Sequence, residues 1–253
     1  MEINRTSLRP ITQNKLHSPK GKLKHKTMDI QLNYIEQGEG QPLILLHGNG
    51  ESCDYFEHQI AYFSKNYHVI AIDTRGHGQS PRGEKPFTIK QFANDLHDFM
   101  GAKGITSTLL LGFSDGGNIA LEFALKHPER IDKLILNGAN LYPSGVKALY
   151  QWPIELGYRI AKLCSKKSEK ALRNAEMLGL MVNEPHIEPS ELSRLTMPVL
   201  VIAGTKDMIK ESHTRLIYNS LLNAQLVILD GDHFIAKRCP EAFNTAVEKF
   251  LLP

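Results

Sequence analysis

The chain has 253 residues, enough for one large α/β domain with a substantial core, and its 42% hydrophobic and 23% charged residues are ordinary for a globular protein. No apolar run approaches the roughly 18 residues that span a bilayer, and no apolar stretch near the start reads as a secretory signal, so neither a membrane partner nor export is expected. The net charge of +3 hides an asymmetry, because residues 1–27 carry seven Lys/Arg against the single acid Glu2.

That basic stretch, 1–27, shows no clear periodicity and reads as a solvated leader open to disorder. Nucleic acid is disfavoured as its partner, since no aromatic residue interleaves with the charges. Ile30–Ile35 alternates apolar and polar, the pattern of a half-buried antiparallel strand. Gly38-Glu39-Gly40 is a turn, and Pro42–Leu46 is a fully apolar run that reads as a buried strand ending in His47-Gly48-Asn49-Gly50. Asp54–Phe63 has helical spacing. Tyr67–Ile72 is the next buried strand, and it ends in Asp73-Thr74-Arg75-Gly76-His77-Gly78-Gln79-Ser80. In that loop Asp73 and Arg75 are expected to tie the turn by hydrogen bonds, with His77 a loop residue and not a base. Thr88 reads as the N-cap of a helix over Ile89–Met100. A strand at Thr108–Leu111 and a helix to about Lys126 follow, and His127-Pro128 ends that helix.

After the strand Lys133–Leu136 and the loop Asn137–Asn140, the alternation breaks. Residues 142–195 hold two helical stretches, Val146–Cys164 with Pro153 as a break and Lys170–Met181, but no strand. The rhythm resumes with a strand at Pro198–Gly204, a helix around Glu211–Leu222, a strand at Gln225–Leu229 and a helix from Pro240 to Leu251. Strands alternating with helices predict an α/β fold, a doubly wound and mostly parallel sheet. The expected organisation is a core of 28–141 and 196–253 with 142–195 inserted as a helical cap. Cys53, Cys164 and Cys239 form no CxxC pair or framework, which points to a reducing compartment, by default the cytoplasm.

The chemistry centres on Gly112-Phe113-Ser114-Asp115-Gly116, a G-x-S-x-G between a strand and a helix. A serine hydroxyl is a poor nucleophile at neutral pH; it needs an imidazole to take its proton and a carboxylate to orient the imidazole. In a parallel sheet these groups meet only beyond the carboxyl ends of strands. Asp207 follows the strand ending at Gly204, and His233 lies between the last strand and the last helix. Asp230 and Asp232 rank below Asp207, because sequence neighbours of His233 rarely point at it. The expected oxyanion-hole donors are the backbone N–H groups of Asp115 and Asn49. Asp115 either meets a cationic substrate or caps the following helix. Phe113 and Trp152 are further candidates for substrate contact, although cap aromatics such as Trp152 either line an acyl pocket or pack the cap's own core.

With its order Ser114…Asp207…His233, its loops His47–Gly50 and Asp73–Ser80, and its Gly112–Gly117 turn, the chain from about Met28 resembles the α/β-hydrolase superfamily. Its Ser-Asp-Gly-Gly and Gly138-Ala139-Asn140 resemble the valacyclovir hydrolase (biphenyl hydrolase-like) group. That resemblance implies that Asp115 meets the α-amino group of an amino-acid ester. The expectation is a serine hydrolase of a small carboxylic ester, with a small-molecule ester as its partner and no metal or organic cofactor. A carbon–carbon bond hydrolase or lactonase with the same triad, or a ligand receptor on this fold, remains open. The sequence does not give the oligomeric state.

Overall fold

The computed structural model describes residues 29–252; the basic leader read at 1–27 lies outside them. The described chain builds a seven-stranded sheet of order β1-β3-β2-β4-β5-β6-β7. Six strands are parallel: β2 (Pro42–Leu46), β3 (His68–Ile72), β4 (Thr108–Phe113), β5 (Ile131–Asn137), β6 (Val199–Lys206) and β7 (Ala224–Asp232). The edge strand β1 (Tyr34–Gln37) pairs antiparallel with β3.

The sheet is covered on both faces, so its central strands are apolar at successive positions and not at alternate ones. Alternate residues feed two separate cores. Ile44 and Leu46, Ile70 and Ile72, Leu134 and Leu136 pack with α2 (Ile89–Lys103), α3 (Asp115–Lys126) and α6 (Glu211–Ser220). Leu43 and Leu45, Val69 and Ala71, Leu109 and Leu111 pack with α1 (Glu57–Phe63), the short α7 (Ile235–Arg238) and α8 (Pro240–Leu251). The chain moves from β2 outward to β3 and then returns to place β4 on the other side of β2. The loops after β2 and β4 therefore diverge, and ligands bind in such a crevice beyond the carboxyl ends of the strands.

Several boundaries differ from the sequence reading, each for a local reason. Of the expected strand at Ile30–Ile35, only the part from Tyr34 finds a ladder partner, with Tyr34 opposite Ile72. A 3-10 turn, Cys53–Phe56, precedes α1. Helix α2 continues to Lys103, where Gly104 at φ +70 stops it. Strand β7 runs on to Asp232 because β6 pairs with it as far as Lys206. Pro153 does not break its helix: α4 (Ala148–Cys164) is continuous through it. The ring removes one N–H bond to the Leu149 carbonyl, but Pro153 and Leu149 are both exposed, so that carbonyl is not trapped without a partner. Helix α4 packs on α5 (Glu169–Asn183), and both lie between β5 and β6 in the chain.

Candidate active site

Ser114 sits between β4 and α3 with φ 54 and ψ −120, the one non-glycine residue with positive φ among the described residues. Such a conformation costs on the order of 1–3 kcal/mol and persists only where its surroundings enforce it. Here two hydrogen bonds do so: Ser114 N–H donates to the Asn137 carbonyl at 2.8 Å, and Gly117 N–H donates to the Ser114 carbonyl at 2.8 Å. The flanking glycines are required by contact. A Cβ on Gly112 would run into the Gly116 carbonyl, and one on Gly116 into the Leu46 carbonyl.

The strained turn aims the hydroxyl at an imidazole. Ser114 Oγ lies 2.9 Å from His233 Nε2, and His233 Nδ1 lies 2.7 Å from Asp207 Oδ1. A carboxylate on Nδ1 fixes the proton there, which leaves Nε2 to accept from the serine hydroxyl. Both partners are buried. Asp207 Oδ1 also accepts from Ile209 N–H at 2.8 Å, and Lys147 Nζ donates to the Asp207 carbonyl at 2.6 Å. The imidazole packs against Phe113 and Phe234, with ring centroids 4.9 and 5.6 Å away. On its other side is Gly138 at φ +62, where a Cβ would stand 2.7 Å from His233 Cε1 and 2.9 Å from Nδ1.

The loop after β2 abuts the same serine, since a Cβ on Gly48 would come 3.1 Å from Ser114 Cβ. His47 fastens that loop: its Nδ1 donates to the Gly48 carbonyl at 2.7 Å, and its Nε2 accepts from Thr74 N–H at 3.0 Å. Burial pushes the His47 pKa down to about 4, so the ring is neutral at pH 7. Asp73 accepts from Cys53 N–H, Gln79 N–H and Asn33 Nδ2 at 2.7–2.8 Å. Arg75 is fully buried and grips Asp95 through two N–H groups at 2.7 Å while pairing with Asp29. These are the tying roles read from the sequence. His77 bonds Thr74 and the Arg75 carbonyl, as a loop residue should.

Two backbone N–H groups next to this junction have no backbone acceptor among the described residues. Asp115 opens α3, so its N–H has no acceptor within the helix. Asn49 N–H donates to no backbone carbonyl among the described residues. The Asp115 carboxylate does not cap α3. It accepts from Asn49 Nδ2 at 2.8 Å and Asn118 Nδ2 at 3.3 Å, and burial holds its pKa above the ordinary carboxylate range. Asn118 is braced in turn by Asn140, whose N–H donates to Asn118 Oδ1 at 2.9 Å. A narrow pocket with a cavity volume of only about 10 Å³ lies here, lined by Ser114, Asp115, Asn140, Val146, Met181, Glu184, Met208 and Ile209. A larger hollow by Leu32, Tyr34 and Phe99 holds no serine, cysteine or histidine. Among the described residues no group of three or more His, Cys, Asp or Glu is placed to hold a metal ion, and no helix is long and apolar enough to cross a membrane.

The family model for the alpha/beta hydrolase fold matches residues 41–159. Human serine hydrolase BPHL is 30% identical over 249 residues, covering 88% of this chain and 83% of that protein. The chain belongs to the α/β-hydrolase superfamily. A 3-oxoadipate enol-lactonase from Acinetobacter baylyi is 28% identical, over 87% of this chain and 92% of its own. The crystal structure of a meta-cleavage product hydrolase from Pseudomonas fluorescens IP01 superposes with a TM-score of 0.72 at 25% identity, over 87% of this chain and 94% of that one.

In this α/β-hydrolase, then, three residues read from the sequence, Ser114, Asp207 and His233, form one hydrogen-bonded chain, with Asn49 and Asp115 beside it. The other two do not reach the pocket. Phe113 is a buried core residue stacked on Tyr55 with centroids 4.4 Å apart, because the last position of β4 points into the sheet's second core. Trp152 stands on the exposed side of α4, in a shallow depression with Glu155, Leu156 and Arg159. Val146, Glu184, Met208 and Ile209 also line the pocket, and none of them belongs to a motif. Met208 and Ile209 follow Asp207 directly, which is a usable signal. Val146 and Glu184 enter from the 142–195 segment, where nothing local marks them.

Proposed function

We propose that this α/β-hydrolase is a serine hydrolase of small carboxylic esters. The observation that carries the reading is the continuous hydrogen-bonded chain Ser114 Oγ–His233–Asp207 behind a serine strained to φ 54. His233 Nε2 takes the hydroxyl proton as Ser114 Oγ attacks the ester carbonyl carbon. In this reading the resulting oxyanion is met by the backbone N–H groups of Asn49 and Asp115. On collapse the C–O bond to the alcohol breaks, and His233 returns the proton to the leaving alkoxide. Water then enters with His233 again as base, releases the acid and restores Ser114. Asp207 keeps the imidazole in one tautomer and offsets its charge throughout.

The lining beside Ser114 is apolar along Val146, Met181, Met208 and Ile209, a character that suits a small acyl group. The carboxyls of Asp115 and Glu184 line the same space, which supports an ester bearing an ammonium group. Lactone opening uses the same steps, and the likeness to an enol-lactonase keeps lactones among the substrates to test. Three free cysteines, with Cys164 exposed, support a reducing compartment and hence the cytoplasm.

The test is steady-state turnover of short p-nitrophenyl esters, aminoacyl esters and lactones by the wild type and Ser114→Ala. We expect turnover by the wild type and a loss of about 10³-fold or more in kcat on removing the hydroxyl. Undiminished turnover by Ser114→Ala would overturn the reading. Failure of the folded wild type on every ester and lactone would move the assignment to carbon–carbon cleavage or to a receptor.

A further inference from the structure

Helix α4 carries an apolar stripe that no other part of the described chain covers. Leu149, Trp152, Leu156, Ile160 and Leu163 are 79%, 75%, 56%, 56% and 81% exposed. At about 100° per residue these five positions fall within an arc of about 80° on the helix. Of the ten large hydrophobic side chains exposed among the described residues, seven lie on α4 or α5, and the other three, Ile35, Leu222 and Leu252, are scattered. Scattered apolar residues need no explanation, but a continuous stripe does. The opposite side of α4 is already used: Gly157 lies against Leu178 and Tyr158 against Gly179, which seats the helix on α5. The stripe is therefore a second apolar face, additional to the one that folds the α4–α5 pair.

Charge decides what the face fits. Residues 159–173 hold six cations, Arg159, Lys162, Lys166, Lys167, Lys170 and Arg173, against one carboxylate, Glu169, for a net +5. Arg173 pairs with Glu169; the other five make no ion pair among the described residues. Arg159 borders the stripe, beside Trp152 and Leu156. The carboxylate that shares this border, Glu155, is half-buried and accepts from Gln151. Pairing of two copies through this face would bring cations together with Glu155 and Glu169 as the only carboxylates of residues 147–173 to answer them. An apolar stripe of Leu, Ile and Trp with Arg159 at its border and the exposed Lys166 and Lys167 at the helix's carboxyl end is instead the composition of a helix lying in the plane of an anionic lipid surface. There the apolar side chains enter the acyl boundary and the cations meet the head groups.

We propose that α4 docks this chain peripherally on an anionic lipid surface through Leu149, Trp152, Leu156, Ile160 and Leu163. The absence of a spanning segment bears on insertion across a bilayer and leaves this contact open.

Trp152 is the only tryptophan in the chain, so its emission reports this face alone. The full chain is titrated with vesicles of phosphatidylcholine and with vesicles of equimolar phosphatidylcholine and phosphatidylglycerol. The expected result is a blue shift and lower acrylamide quenching with the mixed vesicles only, reversed by high salt. Leu156→Glu with Leu163→Glu should weaken binding at least about tenfold, with turnover of a soluble ester retained. Lys166→Glu with Lys167→Glu, which touches no packing, should weaken it by about as much. An unchanged emission with mixed vesicles, or an equal shift with phosphatidylcholine alone, overturns the proposal. So does full binding by both variants, which would assign the contact to cations elsewhere, or a lipid-free dimer that buries Trp152.

Discussion

Gly138 is where one residue's backbone bears most directly on the chemistry. Its φ of +62 is a conformation that side chains resist, and the space where a Cβ would stand is filled by the His233 ring. We expect Gly138→Ala to lower kcat on an ester by about 10²-fold, the order of effect of a reacting group displaced by about 1 Å. The backbone strain should cost a further 1–2 kcal/mol or so in stability, read by chemical denaturation. An alanine variant with wild-type kcat would mean that the imidazole is free to move and is not held against this glycine. Ser114, Asp207 and His233 were legible in the sequence because a parallel sheet allows such groups to meet only beyond its strand ends, which left few candidates. Phe113, a candidate for substrate contact by its place in the motif, is turned to the core, because position within a motif does not tell which way a side chain points. At the last residue of β4 the strand's alternation sends it to the core beside Tyr55, while Ser114 turns out.

At the scale of elements, the strands of the sheet were legible as apolar runs because they are buried on both faces. Strand β1, at the sheet edge with one paired neighbour, carries a weaker pattern, and its register came only from β3. The helix starts were legible where a side chain makes the cap. Thr88 accepts from Gln91 N–H at 3.1 Å, as its position before Ile89 suggests. Thr88→Ala should therefore cost about 1 kcal/mol of unfolding free energy, measured by urea denaturation. A variant as stable as the wild type would show that the Glu184 carboxylate, which accepts from Ile89 N–H at 2.7 Å, caps α2 by itself. The 142–195 segment was the least legible. Its helices were recognised, but a proline on the solvent side of α4 left the helix whole, and the placement of Val146, Met181 and Glu184 around Ser114 depends on how α4 and α5 pack, which no local pattern encodes.

For the molecule as a whole, buried histidines tie stability to pH. His213 accepts from Leu141 N–H at 2.9 Å and packs edge-on to Tyr142, joining α6 to the chain that leaves β5. Burial, and then the nearby Lys210 charge, push its pKa down from 6.5 to about 4. A group of this kind binds a proton in the unfolded chain before it does in the folded one. Its contribution is therefore complete above pH 6.5 and is lost as pH falls toward 4, by up to about 3 kcal/mol. His47, also at about 4, adds a slope of the same sign, whereas burial of Asp115, Glu122 and Glu184 raises their carboxyls and gives a slope of the opposite sign. Comparison with a variant isolates the one histidine. His213→Phe keeps much of the shape but leaves the Leu141 N–H unpaired, which should cost about 1–3 kcal/mol at pH 8. That deficit should narrow through pH 6 and close or reverse near pH 4, because only the wild type must then bury a ring that prefers to be charged. The measurement is urea unfolding of both proteins across pH 4–8. A gap that stays constant over the whole range would mean that His213 titrates alike in the folded and unfolded chains, and that its burial does not oppose its charge.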